Sequence, residues 1–319
     1  MGRTAGRCLY CRESWTGEGA FHESCSAKFF GHRHAPTIEY KLDDMEKLAT
    51  SVLRSHSTVP GVQSKISLDL EKSPGEGKAG RLTLVGLWGR FILKPPSRKY
   101  PRLPELEDAT MHLAAAAGLP VVPHCLIRLA SGELAYITRR IDRTKTGKLA
   151  MEDLCQASGR LTEDKYKGSL EATGRTIRSF SSQPGLDAIL FFDLALFCFM
   201  TGNADMHLKN FSLWRPEGGE TQLAPAYDLL ATKLVIPKDE EETALTLNGK
   251  KKNLRRKDFD ALAASLRLPD KARENSYTRL MGMRKTWDAD LGKSFLPAPV
   301  RKKFQTLLEE RIGRLKSKG

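Results

Sequence analysis

The chain has 319 residues, of which 40% are hydrophobic and 28% are charged, and its formal net charge is +14. This length predicts about two domains or lobes, and the composition excludes a disordered or fibrous protein. No apolar run reaches about 20 residues and the N-terminus lacks a signal-peptide pattern, so we expect a cytoplasmic protein without membrane segments. Six cysteines in a chain of this length do not predict a disulfide framework. The positive charge favours acidic partners such as nucleotides, nucleic acid or an acidic protein.

The N-terminal residues 1–34 contain two close pairs of metal-binding side chains. Cys8 and Cys11 form a C-x-x-C pair, and His22 and Cys25 form an H-x-x-C pair after a ten-residue gap. Two such pairs separated by a loop are typical of a tetrahedral Cys3His zinc site. A redox motif would need a βαβ context that the sequence lacks, whereas reduced, partly buried thiols remain an alternative. The pattern predicts a small module with structural zinc.

A hydroxyl-rich loop follows the N-terminal module. Apolar spacing between Lys41 and Ser55 predicts an amphipathic helix. The segment 55–65 then contains Pro60-Gly61 and ends in a lysine before a strand-like run. Such a segment could form a nest of backbone N–H groups for phosphate. It matches neither G-x-G-x-x-G nor a Walker A loop, and a plain surface turn is the alternative.

Residues 81–140 carry the signals of a small antiparallel sheet interrupted by one helix. The predicted elements are strands at Arg81–Leu87, Arg90–Leu93, Val121–Leu129 and Leu134–Arg139 and a helix at Leu103–Ala117. The second strand ends in FILK, so Lys94 resembles the kinase lysine that contacts nucleotide phosphates. Glu107 lies in the first turn of the helix, where it could pair with Lys94. Glu105 and Asp108 would serve a helix N-terminus equally well.

The second half of the chain is predicted to be mainly helical. The expected helices are Glu163–Ser181, Leu186–Met200, Asp258–Arg267 and Val300–Leu315. The apolar run 188–200 is too short to span a bilayer and indicates a buried helix. It leads into TGNADMHLKNFSL, and the segments 211–214 and 221–223 flank a turn that predicts a hairpin.

The loop after this buried helix has the residue order of a kinase active site. Asp205 is followed by Asn210 in the pattern D-x-x-x-x-N, and Asp228 follows 18 residues later. Kinases use this order for a catalytic aspartate and two magnesium ligands. Asp and Asn are also common turn residues, so three positions alone do not decide the function.

Several segments together resemble the HipA family of serine/threonine kinases, the toxins of bacterial HipBA modules. The resemblance covers nearly all of the chain from Thr58, and it is closest to the compact HipT-like form of three-gene HipBST systems. Its carriers are GVQSK, FILKPPS, ELED, ITRRIDR, MEDLCQ, TGNADMHLKNFSL and LAPAYDLL. The resemblance implies an α+β, two-lobed protein-kinase-like (HipA-type) fold. The N-lobe (35–140) would hold a small antiparallel sheet, and the C-lobe (141–319) would be helical.

The same resemblance assigns roles to individual residues. Asp205 matches the catalytic aspartate. Beside it in the catalytic loop 201–210, His207 would orient the loop and Lys209 would meet the γ-phosphate. Asn210 and Asp228 match the magnesium ligands. The residues that would meet ATP are Lys94, its partner Glu107, the loop residues Gly61, Val62 and Gln63, and the hinge residues Ile137, Thr138 and Arg139.

The resemblance also implies control and partners. In this family, hydroxyls of the Gly-rich loop are autophosphorylated to switch the kinase off, and Ser55, Ser57 and Thr58 are the candidates here. Family targets are aminoacyl-tRNA synthetases, phosphorylated on a serine. Larger HipA kinases carry an N-terminal strand subdomain that this chain replaces with the Cys/His module, so we expect a separate HipS-like partner. A HipB-like antitoxin would connect the kinase to DNA indirectly.

Three other functions are alternatives to this one. A small-molecule kinase of the aminoglycoside or choline type shares the Asp-Asn-Asp order but needs an acidic pocket. A nucleic-acid-binding module would use the zinc-like N-terminus and the basic run 250–257. It explains the charge but not the ordered kinase residues. A catalytically dead scaffold is disfavoured because every required group is present.

Overall fold

The computed structural model describes residues 6–45, 47, 65–71, 80–85, 88–144 and 147–316. These residues form two compact units. The first comprises residues 1–108, 122–147 and 293–295, and the second comprises residues 109–121, 148–292 and 296–319. The N-terminal Cys/His module therefore belongs to the same unit as the sheet. The module and lobe boundaries proposed at residues 34 and 140 stay predictions.

The first unit is built on an antiparallel five-stranded sheet. The module contributes β1 (Gly6–Arg7), β2 (Ser14–Trp15) and α1 (Glu23–Phe30). The sheet consists of β3 (Ile66–Glu71), β4 (Arg81–Leu84), β5 (Phe91–Lys94), β6 (His124–Arg128) and β7 (Leu134–Arg139) in the order β4-β3-β5-β7-β6. Between β5 and β6 the chain forms α2 (Leu103–Ala116), and Gly118 follows it with φ 78°. The predicted antiparallel sheet is confirmed, with β3 as its fifth strand.

The Cys/His module is attached to this sheet by apolar and backbone contacts. Phe29 and Phe30 on α1 lie 5.8 and 5.9 Å from the ring of Phe91 on β5, measured between centroids. All three rings are buried. The backbone N–H of Leu126 on the edge strand β6 donates to the carbonyl of Leu9 at 3.1 Å. The module thus covers an edge strand that would otherwise expose backbone groups.

The second unit is mainly helical and contains a small three-stranded sheet. Its elements are β8 (Met151–Asp153), α3 (Leu154–Ala157), α4 (Leu170–Phe180), α5 (Pro184–Thr201), β9 (Ser212–Trp214), β10 (Gln222–Leu223), α6 (Thr232–Val235), α7 (Arg256–Ser265), α8 (Asp270–Gly282), α9 (Arg284–Lys293) and α10 (Ala298–Lys316). The sheet order is β10-β9-β8, so the predicted hairpin of β9 and β10 is confirmed. The last residue of α9, Lys293, is grouped with the first unit.

Helix α5 forms the core of this unit. It begins with Pro184 in its first turn and ends before Gly202, and nearly all residues from Ala188 onward are buried. Its two buried carboxylates are paired: Asp193 with Arg279, and Asp187 with the backbone N–H of Leu223 at 2.7 Å. By length and composition this 18-residue helix could cross a membrane, although 72% of it is buried inside the protein. It is longer than the predicted 186–200 segment.

One helix prediction needs correction, and two helices were not predicted. The predicted helix 163–181 is interrupted, because Gly168 has φ 130° and Ser169 caps a new helix that begins at Leu170. Only a short 3-10 turn, Thr162–Asp164, precedes it. Helices α8 and α9 were not predicted at all. The predicted helix 41–55 lies mostly outside the described residues; of it, residues 42–45 and 47 are helical.

Candidate active site and Cys/His cluster

The loop that follows α5 is fixed at its base. Gly202 has φ 68°, and a Cβ there would lie 2.8 and 2.9 Å from neighbouring side chains, so only glycine fits. The hydroxyl of Thr232 donates to the carbonyl of Gly202 at 3.1 Å and accepts from the N–H of Ala204 at 2.8 Å. The buried helix and these bonds define the backbone that leads into Asp205.

Hydrogen bonds within the loop bring Asp205 and Asn210 together. The N–H of Asp205 donates to Asn203 Oδ1 at 3.2 Å, and Asn210 Nδ2 donates to the carbonyl of Asp205 at 2.9 Å. The N–H of His207 donates to the same carbonyl at 2.9 Å. Because this arrangement uses the amide nitrogen of Asn210, its amide oxygen is the atom suited to a metal ion.

Asp228 is connected to this loop through the preceding residue. The hydroxyl of Tyr227 donates to the carbonyl of Lys209 at 3.1 Å and lies 2.6 Å from the hydroxyl oxygen of Ser212. Asp228 itself has φ 60°. A left-handed backbone at a residue other than glycine costs about 1–3 kcal/mol and is concentrated at functional sites. The carboxylate of Asp228 and the amide oxygen of Asn210 are hard ligands, so the pair fits magnesium.

The two other residues predicted in the catalytic loop contact side chains of the same unit. Lys209 Nζ donates to Asp153 Oδ2 at 2.7 Å, and Asp153 also caps α3. Asp153 belongs to the MEDLCQ motif, but the sequence assigned it no role. His207 is buried, and its ring meets that of Tyr166 edge-on at 5.0 Å. Contact of Lys209 with the γ-phosphate therefore stays a prediction.

One side chain that contacts Asp205, that of Tyr166, was not predicted from the sequence. The hydroxyl of Tyr166 donates to Asp205 Oδ1 at 2.8 Å. Partial burial, followed by the negative charges of Asp205 and Asp228, raises the pKa of the Tyr166 hydroxyl, which stays protonated at neutral pH. Periodicity gives no signal for a contact between residues 39 positions apart.

In the first unit, Lys94 and Glu107 form a buried ion pair. Lys94 Nζ lies 2.5 Å from Glu107 Oε1, and the two side chains are 4% and 1% exposed. The ammonium also lies 5.5 Å from the ring centroid of Tyr136 on β7. Glu105, which could equally have served as the charge at the helix N-terminus, pairs with Arg102 at 2.9 Å. Glu107 is thus the acidic partner that the structure gives to Lys94.

The predicted hinge residues lie at the end of strand β7. Ile137 is buried, whereas Arg139 is exposed. The hydroxyl of Thr138 and the N–H of Arg139 both donate to the carbonyl of Pro123, at 3.0 and 2.9 Å. Their contact with adenine stays a prediction. The predicted loop residues Gly61, Val62, Gln63, Ser55, Ser57 and Thr58 lie outside the described residues.

Cys8, Cys11, His22 and Cys25 form a compact cluster in the first unit. One ligand atom from each of them lies within 4.8 Å of all the others. His22 Nδ1 lies 3.3 Å from the sulfur of Cys11 and 3.6 Å from that of Cys25. The backbone N–H of His22 donates to the sulfur of Cys8 at 3.4 Å. One pair comes from the turn between β1 and β2, and the other from the start of α1.

The second ring nitrogen of His22 supports a metal-binding role for the first. His22 Nε2 lies 3.2 Å from the carbonyl oxygen of Ser14. A proton on Nε2 makes this contact a hydrogen bond and leaves Nδ1 unprotonated toward the three sulfur atoms. Histidines that bind metals almost always donate their other ring N–H in this way. His32 and His34 are exposed and do not belong to the cluster.

Residues 57–287 match the HipA-like C-terminal domain family. The chain belongs to the HipA family. Among curated relatives, the HipA-family chain is 33% identical over 250 residues to "Putative kinase Y4dM" of Sinorhizobium fredii; the match covers 73% of this chain and 59% of the relative. It is 34% identical over 212 residues to "Putative kinase Y4mE" of the same organism, covering 64% and 48%. The chain thus spans roughly half of these relatives' lengths.

Solved structures share its fold. HipA of Shewanella oneidensis MR-1, solved with HipB and operator DNA of its toxin–antitoxin system, superposes with a TM-score of 0.67 at 20% identity, covering 87% of this chain and 71% of that one. The proinflammatory kinase CtkA of Helicobacter pylori superposes with a TM-score of 0.53 at 16% identity, covering 78% and 93%. The predicted kinase-like α+β fold is therefore confirmed.

Proposed function

We propose that this HipA-family chain is an ATP-dependent serine/threonine protein kinase. The catalytic loop carries the proposal: Asp205 and Asn210 are hydrogen-bonded within it, and Asp228 is attached to it through Tyr227. Protein kinases use this order for a base and two metal ligands. Relatives named as kinases and a kinase-like fold support the assignment.

The residues have separate roles in the transfer. Asp205 accepts the proton of the acceptor hydroxyl, whose oxygen forms a bond to the γ-phosphorus. The bond from that phosphorus to the β–γ bridging oxygen breaks, and ADP leaves. Magnesium held by Asn210 and Asp228 would neutralise charge on the phosphates. Lys94, positioned by Glu107, binds the nucleotide phosphates, and His207 orients the loop.

The biological role that we propose is that of a cytoplasmic HipT-like toxin of a type II toxin–antitoxin system. Its substrate would be a serine of an aminoacyl-tRNA synthetase. The Shewanella relative was solved with HipB and DNA, which supports a HipB-like antitoxin as partner and contact with DNA through that antitoxin. A HipS-like protein is the second partner that we propose.

The direct test is incubation of the purified protein with labelled ATP and a panel of purified synthetases. We expect label on a serine of at least one synthetase, and none with Asp205→Ala. Transfer that persists in Asp205→Ala would remove the proposed base. Labelling of the chain itself but of no synthetase would retain the kinase and reject the proposed substrate.

Control by autophosphorylation is part of the proposal. A phosphate on Ser55, Ser57 or Thr58 would add about −1.5 to −2 charge to the loop that is proposed to bind the ATP phosphates, and activity should fall. After incubation with ATP, mass spectrometry should find this phosphate in the active protein and not in Asp205→Ala. Equal phosphate in both proteins would indicate another kinase.

We also propose that the Cys/His cluster binds one structural zinc ion. Three sulfur ligands and one imidazole nitrogen match a closed structural zinc site, and the Nε2 contact with Ser14 supports this ligand set. Elemental analysis of protein purified without chelator should give one zinc per chain. Well-folded protein without metal would reject the zinc site and leave the kinase proposal intact.

The structure weakens the nucleic-acid alternative, because the basic run 250–257 is largely paired with acidic side chains. The pairs are Lys250–Asp258 at 2.6 Å, Lys251–Glu241 at 3.3 Å, Lys252–Glu240 at 3.0 Å and Arg256–Glu274 at 2.6 Å. Paired side chains offer less positive charge to phosphates than the sequence suggests.

A further inference from the structure

Tyr166 contacts the proposed catalytic base, Asp205, although its side chain is not part of the buried core. It lies between the 3-10 turn at Thr162–Asp164 and helix α4. Its hydroxyl donates to Asp205 Oδ1 at 2.8 Å although the residue is 44% exposed. An exposed tyrosine could direct its hydroxyl to water. Its orientation toward a carboxylate therefore needs an explanation other than the filling of a core.

The backbone beside Tyr166 is attached to the catalytic loop. The N–H of Leu208 donates to the carbonyl of Lys165 at 3.1 Å, so the residue before Tyr166 is bonded to the residue after His207. The ring of Tyr166 meets the buried His207 ring edge-on at 5.0 Å. Backbone, ring and hydroxyl thus connect Tyr166 to the same short stretch of the loop.

We propose that Tyr166 is a positioning residue that holds the carboxylate of Asp205 in the orientation needed to accept the substrate proton. The inference rests on the proposed kinase function. Bonds to Asn203 and Asn210 fix the backbone of Asp205, whereas the Tyr166 hydroxyl donates to an oxygen of its carboxylate. This bond restrains rotation of the carboxylate about its side-chain bonds.

The tyrosine does not exclude the acceptor hydroxyl from Asp205. An ionised carboxylate has about four acceptor sites on its two oxygens. The bond to Oδ1 uses one of them, so a substrate hydroxyl can bind the same group. A tyrosine that instead occupied the substrate's place would inhibit transfer, and the two possibilities predict opposite effects of removing the hydroxyl.

The test is Tyr166→Phe, which removes the hydroxyl and keeps the ring on His207. Phosphate transfer from labelled ATP to the synthetase panel and to the chain itself is measured over a range of ATP concentrations. We expect kcat to fall roughly 10-fold, the effect of losing one hydrogen bond to a charged group. The KM for ATP and the calorimetric affinity for ATP–Mg should not change, which a loss of folding would not reproduce.

Tyr277→Phe is the matched control. Tyr277 on α8 donates to Asp260 Oδ1 on α7 at 3.1 Å, so this change also removes a tyrosine–aspartate bond within the second unit. We expect wild-type kcat in this variant. Wild-type or higher kcat in Tyr166→Phe would overturn the inference, as would a kcat loss matched by Tyr277→Phe.

The kinase proposal fails separately from the Tyr166 inference. If the wild-type protein transfers no phosphate, or if Asp205→Ala still does, the kinase proposal itself is wrong, and Tyr166 loses its role with it. If Asp205→Ala is inactive while Tyr166→Phe has full activity, only the inference about Tyr166 is rejected.

Discussion

The catalytic loop and the Cys/His module are both short clusters of functional residues, but different forces hold them. The loop follows the buried helix α5, and bonds from Thr232, Asn203 and Tyr227 fix its backbone. The module has two strands of two residues and one helix of eight. Such a small segment cannot build a sufficient core of its own.

Because of this difference, we expect substitutions in the catalytic loop to change the chemistry and substitutions in the Cys/His module to change the stability. Side chains of the catalytic loop can be changed while the loop keeps its backbone, so their loss should affect rates and ligand affinity. If the Cys/His cluster binds zinc as proposed, the module depends on these ligands and on its contact with β5, so the loss of a ligand should affect folding first. Four predictions test this distinction, in order of decreasing expected effect.

The largest effect is expected for the two aspartates of the active site. Asp205→Ala and Asp228→Ala should each lower phosphate transfer by roughly a thousandfold or more, since a positioned base alone contributes about 10²–10⁴. The melting temperature should hardly change. Calorimetry should show weaker ATP–Mg binding mainly for Asp228→Ala. Loss of ATP binding in Asp205→Ala alone would contradict the assigned roles.

The next largest effect is expected for a ligand of the Cys/His cluster. His22→Ala should release zinc and destabilise the module by on the order of several kcal/mol, because zinc binding in small modules is folding energy. ATP affinity should fall with it, since Phe29 and Phe30 contact Phe91 on the strand that ends at Lys94. Thermal unfolding and elemental analysis measure both effects.

The matched control for the module is His34→Ala, because His34 is exposed and lies outside the cluster. It should keep its zinc and its melting temperature. If both histidine variants retain metal and stability, the module does not depend on the cluster and the contrast with the catalytic loop disappears.

Breaking the ion pair between Lys94 and Glu107 should lower both stability and activity. Lys94→Ala leaves Glu107 buried without its ammonium, which costs about 3–5 kcal/mol of stability. ATP binding should also weaken. The double variant Lys94→Ala/Glu107→Ala should recover part of the stability but none of the activity. Chemical denaturation measures the loss of stability, and calorimetry measures the loss of ATP binding. Equal stability of the single and double variants would contradict the explanation by an unpaired buried charge.

The smallest effect is expected for Tyr277→Phe. Removing a hydroxyl that bonds Asp260 at 3.1 Å and the carbonyl of Arg256 at 3.3 Å should cost about 1–2 kcal/mol. Thermal unfolding should detect this change at an unaltered transfer rate. A fall in rate would show that the helical core also controls the chemistry.

The elements that sequence predicted well are those with strong local signals. Helix α5 is apolar on all faces, begins with Pro184 and ends before Gly202, so its position is encoded within 20 or so residues. Strands β6 and β7 are separated by a clear turn at Ser131-Gly132, and helix α2 separates them from β5. Helix α8 was missed because it buries few residues, including Ser276 and Tyr277, and so shows no apolar stripe.

The sequence by itself determined the family, the order of Asp205, Asn210 and Asp228, and the spacing of the Cys/His ligands. These depend on residue type and short separation, which the chain records directly. Only the tertiary structure decided that Lys209 pairs with Asp153 and that Tyr166 contacts Asp205. Such contacts join residues far apart in the chain, and no local pattern in the sequence indicates which of them meet.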